Sequence, residues 1–294
     1  MCIRDRIWLS RETRFVLVPP GAVDDGQFKN SWAGWPATDL IAPQLRLQLV
    51  IAGVPDPRTG YLCNIKVIDE MFRDIIVKDL IPHASHPMLG ETMLDIVWQR
   101  SLALWPSFVT GASAFAASPL PVIESLHLHQ SPYLSYARHA NGASQPKVEN
   151  MNSPVTNSPT TQTMLTHQFE FSAAHRLHCD HLSDEQNQQL FSKCNNPAGH
   201  GHNYVVEVSI LQDADEALRV SLAKVAETVK TLVIDKLDHK HLNVDIDHFT
   251  KVNPTVENIS TAIFSWLDGR FDAAQLQTVK VFETPKTWAE CRRS

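Results

Sequence analysis

The sequence predicts an α+β protein, an antiparallel sheet with helices on one face. Alternation at Leu45, Leu47 and Leu49, and at Val206, Val208 and Ile210, marks strands with one buried side. Leu218, Leu222, Val225, Val229 and Leu232 recur at helical spacing, so that stretch buries one stripe. A second helix is expected from about Pro254, because proline fits a first helical turn. It would carry Ile259, Ala262, Ile263 and Trp266 inward.

Two such sets of elements are present. Between His139 and Thr163 the chain is rich in Asn, Ser, Thr, Pro and Gln, a composition unable to bury enough surface to order itself. The expected organisation is a first repeat over 7–138, a flexible linker over 139–163 and a second repeat over 164–294. The halves match in order. Leu9-Ser10 and Arg14 fall opposite Phe171-Ser172 and Arg176, and Asn30 to Gly34 opposite Asn195 to Gly199. Ile81-Pro82-His83 falls opposite Leu237-Asp238-His239, Glu91 and Trp98 opposite Glu257 and Phe264, and Gln130-Ser131-Pro132 opposite Glu283-Thr284-Pro285. Each half reads strand, strand, helix, helix, strand, and the collinearity favours duplication.

Composition narrows the function. A chain of 294 residues with 43% hydrophobic content can supply a core for each half. Its net charge of -6, without a Lys/Arg block, argues against nucleic acid as the main partner. The five cysteines, an odd number in a large chain, predict free thiols and a reducing compartment. The charged opening Met1 to Arg6 shows no secretory signal, so the cytoplasm is the expected location. Leu102 to Val122 is interrupted by Pro106, Pro119 and Pro121 and lacks the roughly 20 continuous apolar residues of a membrane span. It reads as a core helix running into a loop.

The chemistry concentrates in the second half. His200-Gly201-His202 precedes a strand-like run, and residues two apart on extended backbone share a side, so both imidazoles can grip one ion. Gly201 would let the backbone bend between them. His175, in Phe171 to Leu177, can supply a third imidazole. Three neutral histidines with an open fourth position form the pattern of a catalytic zinc site. His-Gly-His alone more often reflects a hydrogen-bonded or solvated pair. Cys194 lies a short Pro/Gly loop before His200, where a cation would favour the thiolate; taken singly it would be an inert buried thiol. Asp238-His239 offers a carboxylate beside an imidazole, either a proton relay or a histidine complementing a helix end. Glu283 is a carboxylate in an apolar strand, suited to paired N–H donors of a guanidine-like heterocycle, although alone it would read as a surface residue.

With these residues in place, the second half resembles the 6-pyruvoyltetrahydropterin synthase and 6-carboxytetrahydropterin synthase family. The resemblance rests on Phe171 to Leu177, Leu182 to Glu185, Cys194 to Tyr204, Leu237 to Leu242, Pro254 to Asn258 and Phe282 to Pro285, in family order. It implies a tunnelling fold, whose sheets close into a barrel by oligomerisation with sites at subunit interfaces, hence a homo-oligomer. It further implies that His175, His200 and His202 bind Zn2+, that Cys194 is the general base, and that Asp238 and His239 form the relay. Glu283 would anchor the pterin ring, with Thr255 close by. The implied reaction is a carbon–oxygen lyase step on 7,8-dihydroneopterin triphosphate, a small-molecule substrate, with loss of triphosphate. The five residues between Cys194 and His200 look like the pyruvoyl-forming type. A 6-carboxytetrahydropterin synthase of queuosine biosynthesis, or a non-catalytic pterin- or metal-binding homologue, are the alternatives.

Two departures stand out. A turn of the Asp-Pro-x-Thr-Gly kind is missing after the His-Gly-His strand, at Gln212 to Ala217, yet present in the first half at Asp56 to Gly60. Val256 stands where a second hydroxyl is common. The first half resembles a degenerate copy: Thr13 replaces His175, Lys29 replaces Cys194, Trp35 and Ala37 replace His200 and His202, and Gln130 replaces Glu283. It is expected to be a structural partner domain without a metal site. Because this repeat begins almost at Met1, a chain start without a natural extension is also expected.

Overall fold

The computed structural model describes residues 6–18, 42–55, 61–85, 88–111, 120–140, 162–213 and 219–294. The chain forms two compact units, Met1–Thr163 and Met164–Ser294. Residues 141–161 of the expected linker, and Lys29, Trp35, Ala37 and the Asp56–Gly60 turn, lie outside the described residues. His139 closes a strand and Gln162 opens one.

In the first unit, β1 (Ile7–Val16), β2 (Gln44–Gly53), β3 (Val122–Ser131) and β4 (Leu134–His139) pair in order and antiparallel. Leu45, Leu47, Leu49 and Ile51 are all 3% exposed or less, while Arg46, Gln48 and Val50 turn to the other side. This is the alternation that the sequence displays. Against the buried side pack α1 (Ile65–Glu70), a wide π turn (Met71–Ile76) leading into α2 (Val77–Leu80), and α3 (Gly90–Gly111). Ile68, Met71, Phe72, Ile76, Leu80, Leu94 and Val97 are fully buried. Arg11 of β1 donates twice to the buried Asp69 carboxylate, at 2.8 and 2.7 Å, tying helix to sheet.

The second unit repeats the plan. Its sheet runs β5 (Gln162–His175), β6 (His200–Asp213), β8 (Ala274–Thr284), β9 (Thr287–Arg292). A two-residue β7 (Lys240–His241) pairs parallel with β5 at Ala173 and Ala174. Tyr204, Val206, Val208, Ile210, Val279 and Val281 point to one side, at 1% exposure or less. Over them lie α5 (Leu222–Val229), a π turn (Lys230–Ile234), α6 (Asp235–Leu237) and α8 (Val256–Leu267). Shorter helices, α4 (Asp184–Phe191) and α7 (Leu242–Asp245), flank the strand ends. The α+β class with an antiparallel sheet is therefore observed, and the repeated order in the first unit is consistent with a duplicated copy.

Several expectations are corrected. Each unit ends in a β-hairpin, one strand beyond the predicted plan. The helix expected from Pro254 is capped instead by Thr255, whose side-chain oxygen accepts from Asn258 N at 3.3 Å. Ile259, Ala262 and Ile263 are buried as expected, but Trp266 is half-buried on the flank, with the Lys236 ammonium 4.3 Å over its ring. Leu267 fills the inward position. Leu218 and residues 214–217 lie outside the described residues; the described helix starts at Leu222 behind a Ser221 cap. Among the described residues, no helix is long and apolar enough to cross a membrane.

Candidate metal centre and its surroundings

The site grows from the pleat. On β5, β6 and β8, the residues that face the helices near the strand ends are His175, then His200, His202 and Tyr204, then Glu283. The β6–β8 register, Val205 opposite Phe282, sets Glu283 level with the His200–His202 end. The three imidazoles converge. Their ligand atoms lie within 4.8 Å of one another, and the ring centroids are 4.6, 5.1 and 4.7 Å apart.

His175 is fully buried and its Nδ1 lies 2.8 Å from the Pro254 carbonyl. A carbonyl only accepts, so Nδ1 carries the proton and Nε2 presents a lone pair. That Nε2 lies 3.2 Å from His200 Nε2. His202 Nε2 is buried without a hydrogen-bond partner. Converging lone pairs repel unless a cation sits between them, and three neutral imidazoles suit zinc. The residues thus fit the ion that the sequence implies. Burial, with a smaller contribution from the neighbouring rings, holds His175 down at about 4 and also lowers His202, keeping both rings in the neutral, ligating form.

The Glu283 carboxylate lies 3.4 Å from His175 Nε2 and 3.6 Å from His202 Nε2, at the cluster's edge. Cys194, half-buried in the turn Ser192–Asn195, is held by its carbonyl, which accepts from Leu177 N at 2.8 Å. Burial and then the Glu283 charge push its thiol up. Without a cation, therefore, Cys194 is more firmly protonated than an ordinary thiol. The glycine that the loop needs is Gly199 rather than Gly201. Gly199 has φ +70°, and a Cβ there would stand 2.8 Å from both the His175 carbonyl and His241 Nε2. At Gly201 it would meet only Ala173 O, at 3.6 Å.

Asp238 and His239 touch, His239 Nδ1 lying 2.8 Å from Asp238 Oδ2. Asp238 also accepts from Ser172 N at 2.8 Å, and these bonds hold its carboxyl below the usual range. His239 adopts left-handed backbone at φ 56°, a region that histidine enters more readily than most side chains, and its side chain is 84% exposed. Thr255 sits beside Pro254 with its hydroxyl engaged as the α8 cap.

Sequence reasoning missed the asparagines that frame the loop. Asn187 is fully buried and donates to the carbonyls of Cys179, Leu182 and Ser183. Asn243 brackets Arg176, accepting from its N at 2.8 Å and donating to its O at 2.9 Å. Asn253 accepts from His178 N. The Pro254 carbonyl and Tyr204, whose hydroxyl lies 3.4 Å from His175 Nδ1, complete the surroundings. Tyr204 at period two beyond His202 was the only available signal.

Fold and site together define an α+β domain with a three-imidazole centre at the end of its sheet. A profile described as "PTPS: 6-pyruvoyl tetrahydropterin synthase" matches residues 164–294. The 6-pyruvoyl tetrahydrobiopterin synthase of Homo sapiens is 40% identical over 125 residues, 42% of this chain and 86% of that protein. A putative 6-carboxy-5,6,7,8-tetrahydropterin synthase of Archaeoglobus fulgidus is 36% identical over 94 residues, 32% of this chain and 76% of its own length. The solved 6-pyruvoyl tetrahydropterin synthase of Caenorhabditis elegans is 36% identical, with a TM-score of 0.42, over 45% of this chain and 96% of that one. The chain belongs to the 6-pyruvoyl tetrahydropterin synthase family through its second unit.

Proposed function

We propose that the second unit is a zinc-dependent carbon–oxygen lyase that converts 7,8-dihydroneopterin triphosphate to 6-pyruvoyltetrahydropterin with loss of triphosphate. The observation that carries the reading is the convergence of the three imidazoles at 175, 200 and 202, whose ligand atoms lie within 4.8 Å of one another. The longer and more similar match to a pyruvoyl-forming relative supports that product over the carboxy form.

In this reading His175, His200 and His202 hold the ion, which when bound supplies Lewis acidity toward the substrate's side-chain oxygens and acidifies the neighbouring C–H bonds. Cys194 takes the proton from the substrate's side-chain carbon. Asp238 fixes His239 with Nδ1 facing its carboxylate, leaving Nε2 to pass a proton to or from the substrate. Glu283 accepts paired N–H donors from the pterin ring, and Thr255 lines its edge. Because His239 is exposed, its ring is open to a site completed by a second copy, in keeping with a homo-oligomer.

Incubation of the purified chain with zinc and dihydroneopterin triphosphate tests the reading. Triphosphate release is expected, reduced roughly 10²- to 10⁴-fold by Cys194→Ala. The product should have the mass of the pyruvoyl form. No release at any zinc loading would reduce the chain to a pterin- or metal-binding protein, and a carboxy-form mass would move it to the other branch.

A further inference from the structure

Residues with positive φ stand on either side of Cys194: Ser192, at φ 47°, and Gly199, at φ 70°. Gly199 has no Cβ and adopts such backbone freely. Ser192 does not. Its ψ of -119° takes it outside even the small left-handed helical region, at ψ of about +30 to +60°, in which an L-residue can settle, so its Cβ crowds its own backbone. The residue is exposed, and no burial of its side chain offsets that strain.

The strain persists because the segments on both sides are fixed. Upstream, α4 is locked by the Ser183 capping box and by the buried Asn187, which accepts from Cys179 N at 2.8 Å, and Ser192 N closes the helix on Gln188 O. Downstream, the Cys194 carbonyl accepts from Leu177 N at 2.8 Å and Asn195 Oδ1 lies 2.9 Å from His178 Nδ1. The remaining bonds of the turn are long. Arg176 reaches Asn195 O and Oδ1 at 3.4 Å each, and Asn196 N reaches Lys193 O at 3.4 Å. Lys193 and residues 196–198 are exposed. The turn is therefore held less firmly than the helix that leads into it.

We propose that Ser192 and Gly199 are the hinges of a local opening, in which the segment between them lifts from Arg176 to His178 and carries Cys194 away from the candidate centre while the domain stays folded. Ser192 is a positioning residue that works against closure. Its strain exists in the closed turn and is released when φ returns to negative values, so it sets how firmly the thiol is held. That the thiol so gated is a catalytic base rests on the lyase reading; the opening does not.

Alkylation of the purified full chain by dilute iodoacetamide at fixed pH, followed at each cysteine by peptide mass, measures the opening. Ser192→Gly removes the strain and should slow alkylation of Cys194 about threefold or more, leaving Cys179 and Cys291 unchanged. It should also raise the urea midpoint, although glycine ordinarily lowers it. Ser192→Ala keeps the Cβ and should match the parent chain in both readings, and zinc content should stay the same in both variants. In turnover, Ser192→Gly should leave KM unchanged and keep kcat at or above that of the parent. A midpoint that does not rise overturns the strain, and a raised midpoint with unchanged alkylation of Cys194 overturns the hinge. A kcat lowered by Ser192→Gly would show that the strain aims the thiol instead of loosening it, and overturns the gating. Slower alkylation of Cys194 in a chain that never turns over supports the hinge and sinks the lyase reading.

Discussion

Individual residues carry unequal information. His200 and His202 were legible because period two on extended backbone places them, with Tyr204, on one side of β6, while His175, on β5, was legible as a third imidazole in the Phe171 to Leu177 segment. The approach of Glu283 to within 3.4 Å of His175 was not, because it follows from the pairing register of two strands far apart in sequence. The first unit carries a residue-scale signal of its own. His127 packs against His139 and His129, with ring centroids 5.6 and 6.4 Å away, and its Nε2 meets Ser125 Oγ at 3.0 Å. Burial first, then those two rings, lowers His127 to about 4. Its unfolded value is 6.5, so between the two values the unfolded chain binds the extra proton. The stability from neutral His127 is therefore complete above about 6.5 and lost as pH falls toward about 4. Thermal unfolding of the full chain should show a midpoint falling over that window, less steeply in His127→Gln. Equal slopes for both proteins would show that His127 does not titrate as described.

Elements were legible where the pattern is local. Strand alternation and the α8 stripe needed only nearby residues, whereas the closing hairpins and the π turns at Met71–Ile76 and Lys230–Ile234 did not announce themselves. That both units widen the helix at the corresponding place strengthens the case for duplication. The Gly199 loop is the element on which the centre depends, since it turns the chain from Cys194 into β6. Gly199→Ala forces a side chain into left-handed backbone and into the His175 carbonyl. A loss of about 1–3 kcal/mol in denaturant unfolding is expected, together with weaker zinc binding. Gly201→Ala, with room for a Cβ, should cost about 1 kcal/mol or less. Equal costs at the two positions would show that the loop is not built as described.

At the scale of the whole molecule, the two units share a plan and differ in chemistry. The first places the buried Thr13 on β1 where the second places His175 on β5, and Gln130 near the end of β3 where the second has Glu283. Among the described residues the three-histidine cluster is the only group of its kind, and it belongs wholly to the second unit. The repeated plan was legible from collinear motifs, and the element order of the two units is consistent with a duplicated copy. Which half carries the three-histidine cluster was legible too, because Thr13, Trp35 and Ala37 at the positions opposite it in the first half have no imidazole. The most direct test is the zinc content of the purified full chain by atomic absorption. One ion per chain is predicted, lost on His175→Ala, His200→Ala or His202→Ala and indifferent to Thr13→Ala; zinc retained by those three variants would contradict a centre built from their imidazoles.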